Sequence, residues 1–460
     1  MSANSPCSSR RPAGWGAPRR RADAGVLGRA AAGRLGGRRA AAGKPTRRRA
    51  AASLLLLCLL SSGLAACGSS GGSGTARVTQ ALSPPLATSL SGAGGSWALL
   101  PAGASSGEEH FWELLHRDAG SSHWSLATPP GVQDNGGLAI AAAGDTLLAG
   151  FLPSYNLHFS PLALTTNGGA SWTPTPFPLP SGLTGVPDSL ALGAGGTTYA
   201  LLADDGGEIV VGNAQGGEWR PLTTARALAA TPLAPSRTQR TTGANPRTST
   251  TPPTPAATVT AGGCGLTSID AIASLSPEGV LAGGTCTKEG QIGEYAYAHG
   301  SWRAAAPPTP AALRGIPSRV LWLTSSGAAT LTLVDFPSSS QNTLLAAWST
   351  DGGHRWAESP PLVMGAREGL IAAGQAPRDQ AFLLVRTPHG NRLRIGAPAA
   401  PWRATPRPPE GTATVVVSAN GEIDALAAHV YDIADWRLLG TPAAWHMVGT
   451  LHVSVSTSSH

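Results

Sequence analysis

The chain has 460 residues, 42% of them hydrophobic and 13% charged, enough apolar material for a packed core and too much for a disordered chain. Its 59 glycines and 39 prolines point to an all-β, turn-rich protein, and no long amphipathic helical pattern follows residue 75. The net charge of +7 would suggest nucleic acid, but residues 1–50 hold 13 of the 33 basic residues and one of the 26 acidic ones, leaving 20 basic and 25 acidic, a net of −5, downstream, which excludes nucleic acid as a partner.

Residues 1–49 are a basic leader longer than an ordinary signal n-region; the segment is disordered, or translation begins further on. Arg47-Arg48-Arg49 then precede Ala50–Leu60, an apolar run too short to span a bilayer. Basic n-region, short apolar h-region and small residues before a cut make residues 50–66 a secretory signal. The ending Leu64-Ala65-Ala66-Cys67 resembles the lipobox of bacterial lipoproteins. That resemblance implies cleavage before Cys67 and acylation of its thiol, so the predicted address is the outer face of the bacterial cytoplasmic membrane or envelope. Residues 67–84, opening GSSGGSG after the cysteine, read as a flexible tether.

From residue 85 to 453, tryptophans recur in similar dress at 124, 172, 219, 302, 356, 402 and 445. Such spacing marks a repeat architecture. Each closes a unit of four short apolar pieces, as in SLALGAG, TTYALLA, EIVVGN and EWRPLTT over 189–224, bounded by turn residues. Four antiparallel strands per unit, repeated seven times, predict a seven-bladed β-propeller. The blades fall near 85–131, 136–181, 187–228, 264–309, 317–363, 367–409 and 411–453. One long interval holds residues 231–263, a Thr/Pro-rich insert with no hydrophobic period. Residues 454–460 form a tail.

Cysteine usage agrees with export. Cys7 and Cys58 fall in the leader and Cys67 takes the lipid, which leaves Cys264 and Cys286 in one unit as a candidate disulfide, two buried thiols being the alternative.

Two units carry a sharper pattern, S/T-x-D/N-x-G-x-x-W. It is met by Thr165, Asn167, Gly169 and Trp172, and again by Ser349, Asp351, Gly353 and Trp356. The Asn or Asp side chain accepts backbone N–H groups in the turn, and glycine allows positive φ there. The chain resembles the Asp-box (BNR) propeller superfamily, which includes sialidases, sortilin-like receptors, xyloglucanases and a photosystem II assembly factor. The resemblance implies that the boxes lie on rim turns and are structural.

A sialidase site would need inner-strand arginines and a Tyr nucleophile with a Glu partner. The predicted inner strands contain no arginine, and Tyr199, the one tyrosine on a predicted second strand, has no evident Glu partner. For an inverting hydrolase, Asp145, Asp270, Glu278, Asp379, Glu422 and Asp424 supply carboxylates, most of them in hairpin turns. His110, His116 and His123 do not make a metal set, because His110 and His116 lie about 20 Å apart along a strand. No metal or cofactor is expected. Tyr155, His158 and Phe159 on loop 153–160 offer a binding surface, or fold back onto their blade. The expectation is a non-enzymatic binding or assembly module for a protein or glycan ligand, tethered to the membrane by lipid. The alternative is a carbohydrate-active hydrolase of the same superfamily.

Overall fold

The chain was analysed as a computed structural model, which describes residues 82–85, 87–92, 94–103, 110–129, 138–143, 145–151, 162–178, 187–193, 196–202, 207–213, 218–231, 264–275, 279–326, 329–376, 379–429 and 431–453. The leader, Cys67, most of the tether, residues 232–263, Tyr155, His158, Phe159, Glu278 and the tail lie outside the described residues.

Nearly every described apolar run is a strand, and the strands form consecutive four-strand antiparallel meanders. The chain starts with β1 (Ala87–Gly92), β2 (Gly95–Gly103), β3 (His110–Asp118) and β4 (Ser125–Leu126). Next are β5 (Leu138–Ala143), β6 (Thr146–Phe151), β7 (Leu162–Thr165) and β8 (Thr173–Thr175). Then come β9 (Ser189–Leu192), β10 (Thr197–Leu202), β11 (Glu208–Asn213) and β12 (Arg220–Thr224), followed directly by the short helix α1 (Ala225–Ala229). Past the insert run β13 (Leu266–Leu275), β14 (Gly279–Cys286), β15 (Gly293–Ala298) and β16 (Ser301–Ala304). The next set is β17 (Arg319–Ser326), β18 (Ala329–Pro337), β19 (Asn342–Ser349), β20 (Ala357–Glu358) and β21 (Leu362–Met364), with β20 and β21 both on β19. β22 (Gly369–Ala376), β23 (Gln380–Thr387), β24 (Gly390–Ala397) and β25 (Ala400–Ala404) precede β26 (Thr412–Val417), β27 (Ile423–His429), β28 (Asp432–Leu439) and β29 (Ala444–His452).

The middle strands are buried on both faces, which explains why they read as continuous apolar runs rather than alternating ones. β7 and β19 are buried along their whole length. Burial on two faces requires a neighbour on each side, and the apolar clusters supply it. Trp97, Leu99 and Leu114 pack with Leu147 and Ala149 of the next meander. Leu148 and Leu164 pack with Leu190 and Leu202, and Tyr199 and Ile209 with Ile272 and Val280. The succession continues to Val415, Val416 and Leu426, which pack back on Ala98, Leu100 and Leu115. The last meander therefore covers the first. This is the architecture of a β-propeller.

Among the described residues no meander borrows a strand from the far end of the chain: β26–β29 pair with one another and β1 pairs with β2. β1 also runs parallel to β22, pairing Ala87 with Ala372 and Ser89 with Gly374. The segment before β1 departs from the sequence reading. A tether extending to residue 84 would leave Leu82 in solvent, whereas Leu82 is 5% exposed and sits in the core around β17–β22. Its apolar side chain fills a site made by residues more than 200 positions away, which local sequence does not reveal.

Candidate functional site

The two boxes build matching turns ahead of β8 and β20. Gly169 N–H donates to Thr165 Oγ1 at 3.0 Å and Ser171 N–H to Asn167 Oδ1 at 3.0 Å. In the second, Gly353 N–H donates to Ser349 Oγ at 2.8 Å, while His354 and Arg355 N–H reach Asp351 Oδ1 at 3.1 and 2.8 Å. These donors hold the Asp351 carboxyl below its ordinary range, although partial burial opposes them. Gly169 and Gly353 have φ of +82° and +81° and lie so close to Ala127 and Ala305 of the preceding meander that a Cβ would meet those side chains at 2.5 and 2.9 Å. Trp172 and Trp356 donate to the carbonyls of the same two alanines at 3.0 and 2.8 Å. The box side chains are consumed by their own turn, and the turn is seated on a neighbour.

At the axis, the first strands β1, β5, β9, β13 and β17 enclose a cavity of about 180 Å³, with Pro84 and Pro85 in its wall. Small and aliphatic residues dominate: Leu90, Ile140, Leu190, Ala191, Ala271, Ile272 and Leu323, with hydroxyls from Thr88, Ser189, Ser274 and Thr324. Trp322 adds one aromatic face. Ser189 bridges β9 to β13, receiving the Ile272 N–H at 3.3 Å. The ionisable groups in the described wall are Asp188 and Asp270. Asp270 Oδ2 already accepts the Thr285 hydroxyl at 2.7 Å and lies 3.6 Å from Arg319 Nε.

Arg319 corrects the expectation that first strands lack arginine, since β17 opens one residue earlier than the apolar run VLWLTSS indicates. It is a single guanidinium, held by Asp270 and by the Leu82 carbonyl, and not an arginine cluster. None of the remaining candidate carboxylates that the structure describes joins Asp188 and Asp270 in the cavity wall. Asp145 is exposed, Asp379 is exposed in a turn at φ 54°, Glu422 is half-buried 3.7 Å from Arg437, and Asp424 is fully buried. Tyr199 is buried in the core. His116 is buried against Trp97 at 4.2 Å with its protonation depressed by burial, whereas His123 is exposed. Among the described residues no three His, Cys, Asp or Glu side chains are grouped to hold a metal.

A second ionic group, not legible in the sequence, lies where β26–β29 meets β1–β4. Arg117 of β3 pairs with Asp424 of β27 at 2.5 Å and donates to the Ser418 hydroxyl. Arg437 of β28 donates to the other Asp424 oxygen at 2.7 Å. Asp435 sits beside them, its carboxyl pushed up to about 7 by burial and by the charge of Asp424, against the pull of the two arginines. The Arg117 guanidinium also stacks 4.7 Å over Trp124. Elsewhere burial raises Glu294, which accepts the Thr332 hydroxyl at 3.1 Å, and lifts Glu358 to about 7. Glu294, Asp424 and Asp435 are enclosed by protein, whereas Glu358 is half-buried.

Cys264 and Cys286 form a disulfide that ties the residue just ahead of β13 to the end of β14. Gly293 lies against it, leaving no room for a Cβ.

No family model matches the chain, and no curated protein matches it in sequence. Among solved structures it is similar to a protein from Lactobacillus plantarum, with a TM-score of 0.45 at 12% identity over 78% of this chain and 96% of that one. It is also similar to TolB from Acinetobacter baumannii, at 0.36 and 11% over 67% of this chain and 65% of that one. An ulvan lyase, a polysaccharide lyase, gives 0.37 and 11% over 69% and 80%. Function is therefore argued from the site itself.

Proposed function

We propose that the protein is a lipid-anchored envelope protein whose ectodomain binds or assembles a protein or glycan partner without turning it over. In this reading the meanders are the blades of a seven-bladed propeller with degenerate Asp-box repeats. The observation that carries it is the axial wall. Glycosidic hydrolysis by the usual route needs two carboxylates flanking one bond, about 5–9.5 Å apart. The described wall offers Asp188 and Asp270, and Asp270 is held by Thr285 and Arg319. An aliphatic and hydroxyl-lined pocket with few polar groups is suited to binding. Assay of the purified chain for polysaccharide turnover tests this reading.

The address rests on the sequence alone. Leu64-Ala65-Ala66-Cys67 supports acylation of Cys67, and two acyl chains give stable anchoring where one does not. Cys67→Ser is expected to move the protein from the membrane fraction to the soluble fraction of an expressing bacterium. An unchanged distribution would refute the anchor.

A further inference from the structure

Leu82 is held by its backbone as well as by its side chain. Its N–H donates to Asp335 Oδ2 at 3.2 Å, and its carbonyl accepts from Arg319 Nη1 at 3.3 Å. Asp335 is fully buried on β18, and Arg319 opens the adjoining β17, so a carboxylate and a guanidinium on paired strands read both polar groups of one peptide residue. The leucine side chain packs with Leu321, Leu331, Leu333, Met364 and Leu370. Ser83 and Pro84 remain exposed, and Pro84 and Pro85 continue over the axial cavity. Proline has no N–H to leave unpaired against an apolar wall, and its fixed φ keeps the segment extended.

This is the chemistry of a peptide-recognition groove, in which main-chain hydrogen bonds supply affinity and a side-chain pocket supplies selectivity. We infer that the groove between Arg319 and Asp335 is a peptide-binding site, occupied in the resting chain by residues 82–85, and that an extended partner segment of the type Leu-x-Pro-Pro takes their place. The inference rests on the binding reading above and names the partner's chemistry. The resident segment competes as part of the same chain, at an effective concentration that a free peptide must overcome. Exchange would also withdraw Pro84 and Pro85 from the axial cavity, which links occupancy of the groove to access at the axis.

The test uses the full chain and a fluorescent peptide of sequence ALSPPL, read by anisotropy. Leu82→Asp places a carboxylate in the leucine pocket and frees the groove; Leu82→Ser does so more mildly and serves if the first variant does not fold. The freed chain is expected to bind the peptide saturably and at least about tenfold more tightly than the unaltered chain. Adding Asp335→Ala to the same variant is expected to remove that binding, as is changing the peptide's leucine to aspartate. A folded Leu82→Ser chain that binds the peptide no better than the unaltered chain would overturn the inference. So would binding that survives both controls. Either outcome leaves the turnover assay untouched, because that assay reads the axial carboxylates.

Discussion

The indole N–H of Trp356 donates to the carbonyl of Ala305 at 2.8 Å, across 51 residues and from one meander to the one before it. The relationship recurs. Trp172 reaches Ala127, Trp219 reaches Pro176, Trp402 reaches Pro360 and Trp445 reaches Pro406, each acceptor lying just past the preceding meander's fourth strand. The recurring tryptophans thus mark a stitch between neighbours. Trp124 and Trp302 break the pattern, each with an indole N–H that has no partner among the described residues. Trp124 stacks under Arg117 at the junction of the last and first meanders, and Trp302 follows the stretch where α1 bonds its own carbonyls.

Replacing a stitching tryptophan with phenylalanine keeps an aromatic ring and removes one hydrogen bond. Trp356→Phe is expected to cost about 1–2 kcal/mol, because the enclosed Ala305 carbonyl loses its donor. Trp302→Phe removes an N–H that has no partner, so its hydrogen-bond cost is near zero. Urea unfolding of the two variants checks the contrast; equal losses would refute the stitch.

The junction cluster gives stability a pH dependence of definite sign. Asp435 and Glu358 hold their protons to about pH 7 and Asp335 to about 6 in the folded chain, because burial disfavours the charged form. The unfolded chain releases them near pH 4. The folded state therefore binds more protons between these limits, so this contribution to stability is greatest at the acid end and falls as pH rises toward 7. Asp435→Asn mimics the protonated group. It is expected to raise stability at pH 8 by on the order of 1 kcal/mol or more and to flatten the slope between pH 5 and 7.5, measured by thermal unfolding across that range. An unchanged slope would contradict the assignment.

Cys264 and Cys286 are 22 residues apart, and closing a loop of that length restricts the unfolded chain by about 3 kcal/mol. Cys286→Ser, or reduction of the parent, is expected to lower the denaturation midpoint, with amide exchange rising first around residues 264–275. Insensitivity to reductant would show that neighbouring packing alone holds β13.

The all-β class and most strands were legible because both-face burial writes continuous apolar runs between turn residues. The disulfide was legible in the cysteine usage, because Cys264 and Cys286 are the pair that remains in one unit once Cys7, Cys58 and Cys67 are set aside. The long-range polar contacts were not legible. Arg117 sits in an ordinary strand sequence, HFWELLHRD, and its partner Asp424 is read as a hairpin carboxylate until the fold brings them together. Leu82 reads as tether for the same reason: its pocket is assembled from β17, β18, β21 and β22. The candidate surface at Tyr155, His158 and Phe159 lies outside the described residues.

The axial cavity is proposed to bind its partner without turning it over. The most direct measurement is reducing-end release from a panel of envelope and matrix polysaccharides by the purified chain, beside Asp188→Asn and Asp270→Asn variants. No release above background is expected from any of the three proteins. Release by the parent that disappears in either variant would contradict it and assign those carboxylates a catalytic role.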